Sequence, residues 1–381
     1  MLEDDPKERI NPASRLSQKK SPPLHLTDSA LFDTIMTENE FTGRGVMHLF
    51  VSLFWNRQQH RLRTAWRLIL QLGVFAGLAL LAGFPVSLLQ KWFFQLSSVA
   101  LSDAYAVLLS VESTLNWLLL LFSLWLAARL LDRRPFRAFG FHLNGQWWAD
   151  LAFGLLLGAV LMAAIFIGEF ALGWVTVTGY RQTSFQSFTA GVVFYIFHYI
   201  AVGIQEESLS RGYWLRNLAE GFHLPRWGAR TALWLAYALS SSIFGLLHFA
   251  NPNASLISTL NLIVAGFMLG LPYVLTGQLA ASIGLHITWN FFQGVVFGLP
   301  VSGLGAATSF LVVQQGGPAV WTGGSFGPEA GLIGLLAMLA GAVLIPVWVK
   351  ATRGKVEMQD ELAVYSPPQQ KLADDHHPSR A

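Results

Sequence analysis

FTAGVVFYIFHYIAVGIQEESLSRGYW, residues 188–214, decides the fold. From Phe188 to Gln205 it holds no Asp, Glu, Lys or Arg. An apolar run of about 20 residues matches the ~30 Å hydrocarbon core of a bilayer at 1.5 Å rise per residue. In lipid the backbone must satisfy its own hydrogen bonds, so the run reads as a membrane-crossing helix. Its end is unlike its body: Glu206-Glu207-Ser208-Leu209-Ser210-Arg211 packs three full charges into six positions.

Working outward, comparable runs lie near 65–88, 105–130, 149–177, 230–249, 255–275, 279–299 and 329–349. The composition agrees, with 53% hydrophobic and 12% charged residues and a mean hydropathy of +0.46. A soluble domain carries about twice that charged fraction. The expected fold is all-α, a polytopic membrane helix bundle of about eight transmembrane helices. Residues 1–63 read as a cytoplasmic N-terminal segment, disordered over 1–27 and forming a surface-lying helix within 28–63. Residues 64–350 form the membrane domain and 351–381 a disordered cytoplasmic tail.

The basic residues orient the bundle. Arg57, Arg61, Arg63 and Arg67 precede the first run, and Arg129, Arg133, Arg134 and Arg137 follow the second. Arg211, Arg216, Arg226 and Arg230 lie between the fourth and fifth, and Lys350, Arg353 and Lys355 follow the eighth. The alternate connections hold Lys91 and Arg181. The positive-inside rule places both termini in the cytoplasm. The expected location is a bacterial plasma membrane, with membrane lipid as the surrounding partner.

Several classes are excluded. With no cysteine, there are no disulfides, thiolate metal ligands or cysteine nucleophile. The net charge of +3 follows from basic loops, and no docking motif for nucleic acid accompanies it. Met-Leu-Glu-Asp-Asp at the start lacks the order of a cleavable signal peptide. Gly323-Gly324-Ser325-Phe326-Gly327 fits G-x-S-x-G, but it falls in a glycine-rich connection, expected to be flexible, and reads as coincidence without a strand–turn–helix setting.

Ionisable residues within spans face the bundle and often mark function. Glu112 and Glu169 stand alone and read as interhelical glue. His198 lies two turns before Glu206 among aromatic neighbours and reads as a buried histidine. The rest form a constellation. Glu207 and Arg211 are four apart, suited to an ion pair, which leaves Glu206 free for proton chemistry. Phe244 and His248 are again four apart, as are His286 and Asn290. One carboxylate, two imidazoles and a carboxamide from three helices make a hydrolytic or ion-handling inventory.

These motifs, Glu206-Glu207-x-x-x-Arg211, Phe244-x-x-x-His248 and His286-x-x-x-Asn290, resemble those of the CAAX prenyl protease and bacteriocin-processing (CPBP/Abi) family, which includes the type II CAAX prenyl endopeptidases. The resemblance covers about residues 140–300. Ser210 departs from it, since members often carry an aromatic residue before the arginine. The resemblance implies an intramembrane endopeptidase whose site opens to the cytoplasm and whose substrate is a membrane-associated or lipidated (CAAX-type) peptide. Glu206 and His248 would activate water, His286 and Asn290 would hold the oxyanion, and Glu207, Arg211 and Phe244 would support them. No cofactor is favoured. The alternative is zinc on Glu206, His248 and His286, a legitimate three-ligand set. Further alternatives are a non-proteolytic membrane scaffold or immunity protein and a proton-coupled transporter. The expected spans raise one difficulty: His248 would lie ~25 Å along its helix while Glu206 sits near the inner end of its own. The site closes only if the fourth helix continues past Arg211, with Glu206 deeper than counted, and the fifth begins lower or bends; the fourth helix is expected to extend to about Leu218.

Overall fold

The computed structural model describes residues 51–96, 101–185 and 187–366. The disorder expected over 1–27, most of the surface helix expected within 28–63 and the last part of the tail lie outside the described residues. From Phe54 onward the chain clusters as one compact unit.

Eight helices follow the apolar runs: α1 (Thr64–Leu96), α2 (Leu101–Leu130), α3 (Gly145–Ala171), α4 (Phe188–Phe222), α5 (Gly228–Leu247), α6 (Leu256–Thr276), α7 (Ala280–Phe291) and α8 (Leu332–Arg353). All but α2 and α7 are long and apolar enough to cross a membrane. Within α2 the apolar part is the shorter Thr114–Leu130. The chain is an integral membrane protein. The run expected over 279–299 is not a full span: α7 has 12 residues, or ~18 Å, followed by π-helical turns over Phe292–Val296. The main core lies where α3, α6 and α8 meet, around Leu161, Met162, Leu269, Met338 and Ile345.

Short α7 is wedged between α3 and α4 by small residues. A Cβ on Gly154 would lie 2.2 Å from the Ala281 carbonyl oxygen, and one on Gly158 would lie 2.4 Å from that of Leu285. One on Gly284 would lie 2.4 Å from the Leu151 oxygen. On the other side, Gly203 of α4 leaves room for Ile287. With no hydrophobic force between helices in lipid, close backbone approach through small residues drives such packing. Thr288 Oγ1 ties the crossing by donating to the Leu155 carbonyl at 2.7 Å.

At the arginine-rich end, buried charges are matched. Glu220 takes Arg61 at 2.6 Å and Arg134 at 2.5 Å, and Arg67 pairs with Asp132. This draws in residues expected to stay outside. Trp55–Asn56 (β1) pairs antiparallel with Arg61–Leu62 (β2), so this stretch is a hairpin and not a surface helix, and Arg61 turns inward. The tail is likewise packed as far as the description reaches. Gln359 bonds the Val274 and Leu275 carbonyls, Leu362 and Ala363 are buried, and Tyr365 lies 3.5 Å from the Arg61 guanidinium. Its apolar residues and aromatic ring cover the ion-pair cluster, and disorder from 351 is corrected accordingly.

The opposite end carries a β-ribbon. α3 stops at Ala171, short of the expected 177, because the chain turns at Gly173 (φ 70°) into β3 (Val175–Thr183). β3 pairs antiparallel with β4 (Thr308–Gln315), Val175 opposite Gln315 and Thr183 opposite Thr308. Much of the connection expected to be flexible is therefore ordered. Gly323–Gly327 is a tight turn with φ values of 74° and 112° at its two ends. Ser325 is exposed and Phe326 buried, so the motif is a turn and not a nucleophile elbow.

Candidate active site

α4 continues past Arg211 to Phe222, as the closing of the site required. It is π-helical over Ser208–Leu215, a widened stretch of the kind that recurs at functional sites. At 1.5 Å per residue Glu206 lies ~24 Å along α4 from Phe222, and His248 lies ~30 Å along α5 from Gly228. The two antiparallel helices thus present these residues at similar depth. α7 starts well inside the bundle, not at its edge. Its preceding residue Leu279 donates from its amide to the Gly140 carbonyl at 3.1 Å and touches the space beside Gly212. From that common level both Glu206 and His286 lie ~10 Å further in.

Glu207 is the hub. It is fully buried, and its Oε1 accepts from Arg211 Nη1 at 2.9 Å and from His286 Nδ1 at 2.8 Å. Because a carboxylate only accepts, Nδ1 carries the proton, and Nε2 is turned toward Glu206 Oε2 at 3.9 Å. Arg211 also donates to the Gly266 carbonyl at 3.0 Å and lies 4.3 Å above the Phe244 ring. Gly245 and Gly266 let α5 and α6 cross closely enough for that reach: a Cβ on Gly266 would lie 2.6 Å from the Ser241 oxygen. Ser240 Oγ donates to the Ser210 carbonyl at 2.7 Å, serving an acceptor in the π-helical stretch.

His248 sits where α5 ends. The carbonyl of Phe244 takes the ring Nδ1 at 2.8 Å. A carbonyl also only accepts, so the Nδ1 proton is committed there and Nε2 remains for chemistry. Glu206, His248, His286 and Asn290 all line one cavity of about 660 Å³. Phe244 lines it too, while Glu207 and Arg211 stand behind the wall. Glu206 keeps 29% of its side chain exposed, against 0% for Glu207.

The cavity brings in residues the sequence reading left out. Glu329, Asn251 and Ser302 line it. Glu329 is buried just before α8 and accepts from the Ser302 amide at 2.7 Å, Ser302 Oγ at 2.6 Å and Gln293 Nε2. Burial pushes its carboxyl above the usual range, against those bonds, which lower it. Asn251, three residues beyond His248, donates to the Ser302 carbonyl at 3.0 Å. The only sequence signal was a carboxylate at the edge of an apolar run, which reads equally as an interfacial residue. His198 lies in the cavity wall among Trp117, Phe194, Tyr195 and Tyr199, with ring centroids 4.8–5.7 Å away. Its Nδ1 has no hydrogen-bond partner among the described residues, so it is held by rings and not by the polar contact of a satisfied core histidine. Glu169 is fully buried in α3 and does not line the cavity.

Among the described residues no three His, Cys, Asp or Glu side chains converge as a metal site. His248 and His286 each use Nδ1 in a hydrogen bond, to the Phe244 carbonyl and to Glu207, and keep Nε2 free on the cavity side, an arrangement equally usual for a histidine acting on water and for a histidine binding a metal. The cavity also lies in the half of the bundle away from the arginine-rich end. At the arginine-rich end the helices are packed through Tyr213, Leu215, Leu233, Tyr237 and Tyr273, all nearly fully buried.

Residues 187–292 match the family described as type II CAAX prenyl endopeptidase Rce1-like. That segment contains all three motifs. The chain is 26% identical over 270 residues to the uncharacterized protein YyaK of Bacillus subtilis (strain 168), covering 67% of this chain and 85% of that protein. No solved structure matches the chain.

Proposed function

We propose that the chain, whose residues 187–292 match the type II CAAX prenyl endopeptidase Rce1-like family, is a membrane peptidase that cleaves a membrane-associated peptide with water activated by Glu206 and His248. The observation that carries this reading is the single cavity shared by Glu206, His248, His286 and Asn290.

Glu206, half in the cavity, takes the proton of the attacking water. His248 offers its free Nε2 to the same water and so orients it. As water oxygen bonds the scissile carbonyl carbon, charge develops on the carbonyl oxygen. The Asn290 amide and a protonated His286 Nε2 donate to that oxygen. Glu207 favours the protonated imidazole by accepting from Nδ1. Arg211 holds Glu207 in place. Collapse breaks the C–N bond, and the proton held by Glu206 passes to the leaving amine. No step needs a metal.

The test is cleavage of a quenched fluorescent peptide library by detergent-purified protein. Glu206→Gln and His248→Ala should each lower turnover at least ~10²-fold, the size typical of removing a general base, while chelator leaves the wild type unchanged. Retained cleavage in Glu206→Gln sinks the reading, and loss on chelation replaces it with a metal mechanism.

A further inference from the structure

The cavity has a sidedness that bears on what reaches it. On α4 its lining runs from Phe194 to Glu206, on α5 it is Phe244 and His248, and on α6 it ends at Leu269. Nothing lining it comes from the arginine-rich third of these helices. Below Glu206 the bundle is closed by Ser210–Leu215 of α4 and Ala232, Leu233, Ala236 and Tyr237 of α5, all buried. At the other end the lining reaches Ser184, Leu304 and Gly305, at the root of the β3–β4 ribbon, and these are exposed.

Charge says which end is which. Among the described residues every Lys and Arg except Lys91, Arg181 and the mid-bundle Arg211 lies at the closed end. Excess Lys and Arg in short connections marks the cytoplasmic side. The open end therefore faces away from the cytoplasm.

We propose that the peptidase is served from the extracytoplasmic side, and that its substrate is a peptide segment presented at the outer leaflet. This rests on the reading of Glu206, His248, His286 and Asn290 as a hydrolytic centre. The lining adds a chemical preference. It holds two carboxylates, Glu206 and Glu329, and no Lys or Arg. Its upper wall is aromatic, with Trp117, Phe185, Phe194, Tyr195 and Tyr199. A peptide that is apolar next to the scissile bond and has no carboxylate there suits this wall, because an anion would lie beside two carboxyl groups and no cationic partner in a medium of low dielectric.

The chain has no cysteine, so single cysteines report side and access directly. Leu304 is 56% exposed at the mouth and Arg226 is exposed at the closed end. In intact cells a membrane-impermeant maleimide should label Leu304→Cys at once, and Arg226→Cys only after permeabilisation. The reverse pattern, or Leu304→Cys labelled only after permeabilisation, overturns the proposal whether or not any peptide is cleaved. In detergent, where both faces are open, Leu304→Cys should lose most of its own cleavage on reaction with a bulky maleimide, while the cysteine-free wild type treated alike keeps its own. Unchanged cleavage after full modification would mean the peptide arrives elsewhere and also overturns it. Failure of the hydrolytic reading would appear separately, as cleavage that survives Glu206→Gln.

Discussion

Removing both sides of the Glu207–Arg211 pair should harm the protein clearly less than the sum of the two single removals. Both residues are almost fully buried, 2.9 Å apart, and Arg211 has as further contacts the Gly266 carbonyl and the Phe244 ring. Glu207→Leu strands a guanidinium in the bundle, and Arg211→Met strands a carboxylate beside His286. Stranding a buried charge costs about 3–5 kcal/mol, whereas replacing a whole buried pair by apolar groups of similar volume is often near neutral. Each single variant is expected to lose about 3 kcal/mol or more, and the double variant less than the sum by about 2–3 kcal/mol. The loss does not vanish in the double variant, because His286 Nδ1 still lacks its acceptor. Titration of mixed micelles with a denaturing detergent, followed by the fluorescence of the 14 tryptophans and by helical dichroism, measures this. Additivity within about 0.5 kcal/mol would mean the two groups act independently, and the reasoning that couples Arg211 through Glu207 to His286 would fail.

Gly158→Leu should push α7 off α3, since even a Cβ there meets the Leu285 oxygen at 2.4 Å. Peptide cleavage should fall at least ~10²-fold, the scale expected when catalytic groups shift by about 1 Å, and wild-type turnover by that variant would refute the placement of His286. Glu220→Ala leaves Arg61, Arg67, Arg134 and Arg216 around an empty centre; the unfolding midpoint should drop sharply, with Glu220→Gln intermediate. The Glu329 carboxyl is raised by burial, so the folded chain binds its proton more tightly than the unfolded one. That stability is present below the ordinary carboxylate range and lost as pH rises through the raised value. Glu329→Gln should flatten this fall, read as unfolding midpoints from acid to neutral pH, and an unchanged slope would remove Glu329 as its source.

The one-dimensional pattern carried a great deal here, because a bilayer imposes length and polarity on each segment separately. Charge-free runs located the helices, and the arginines around them gather at one end of the bundle. Spacing of four put Glu207 with Arg211 and His286 with Asn290 on common faces, since helix neighbours are set by the backbone alone. Depth was not readable in that way. Whether Glu206 and His248 meet depends on where each helix starts, and α7 starts inside the bundle because a turn at Gly277 and the Gly154, Gly158 and Gly284 crossing hold it there. Glu329 joins the site from the far end of the chain through Ser302 and Gln293, contacts with no local period. The ribbon of β3 and β4 pairs segments more than a hundred residues apart, and short alternating stretches give no signal against so apolar a background. Local physics, residue by residue, thus determined that this is a membrane helix bundle and which side chains could do its chemistry. Only the packing of helices decided that those side chains share one cavity, and that the cavity lies in the half away from the arginines, because that depends on which small residues let which backbones approach.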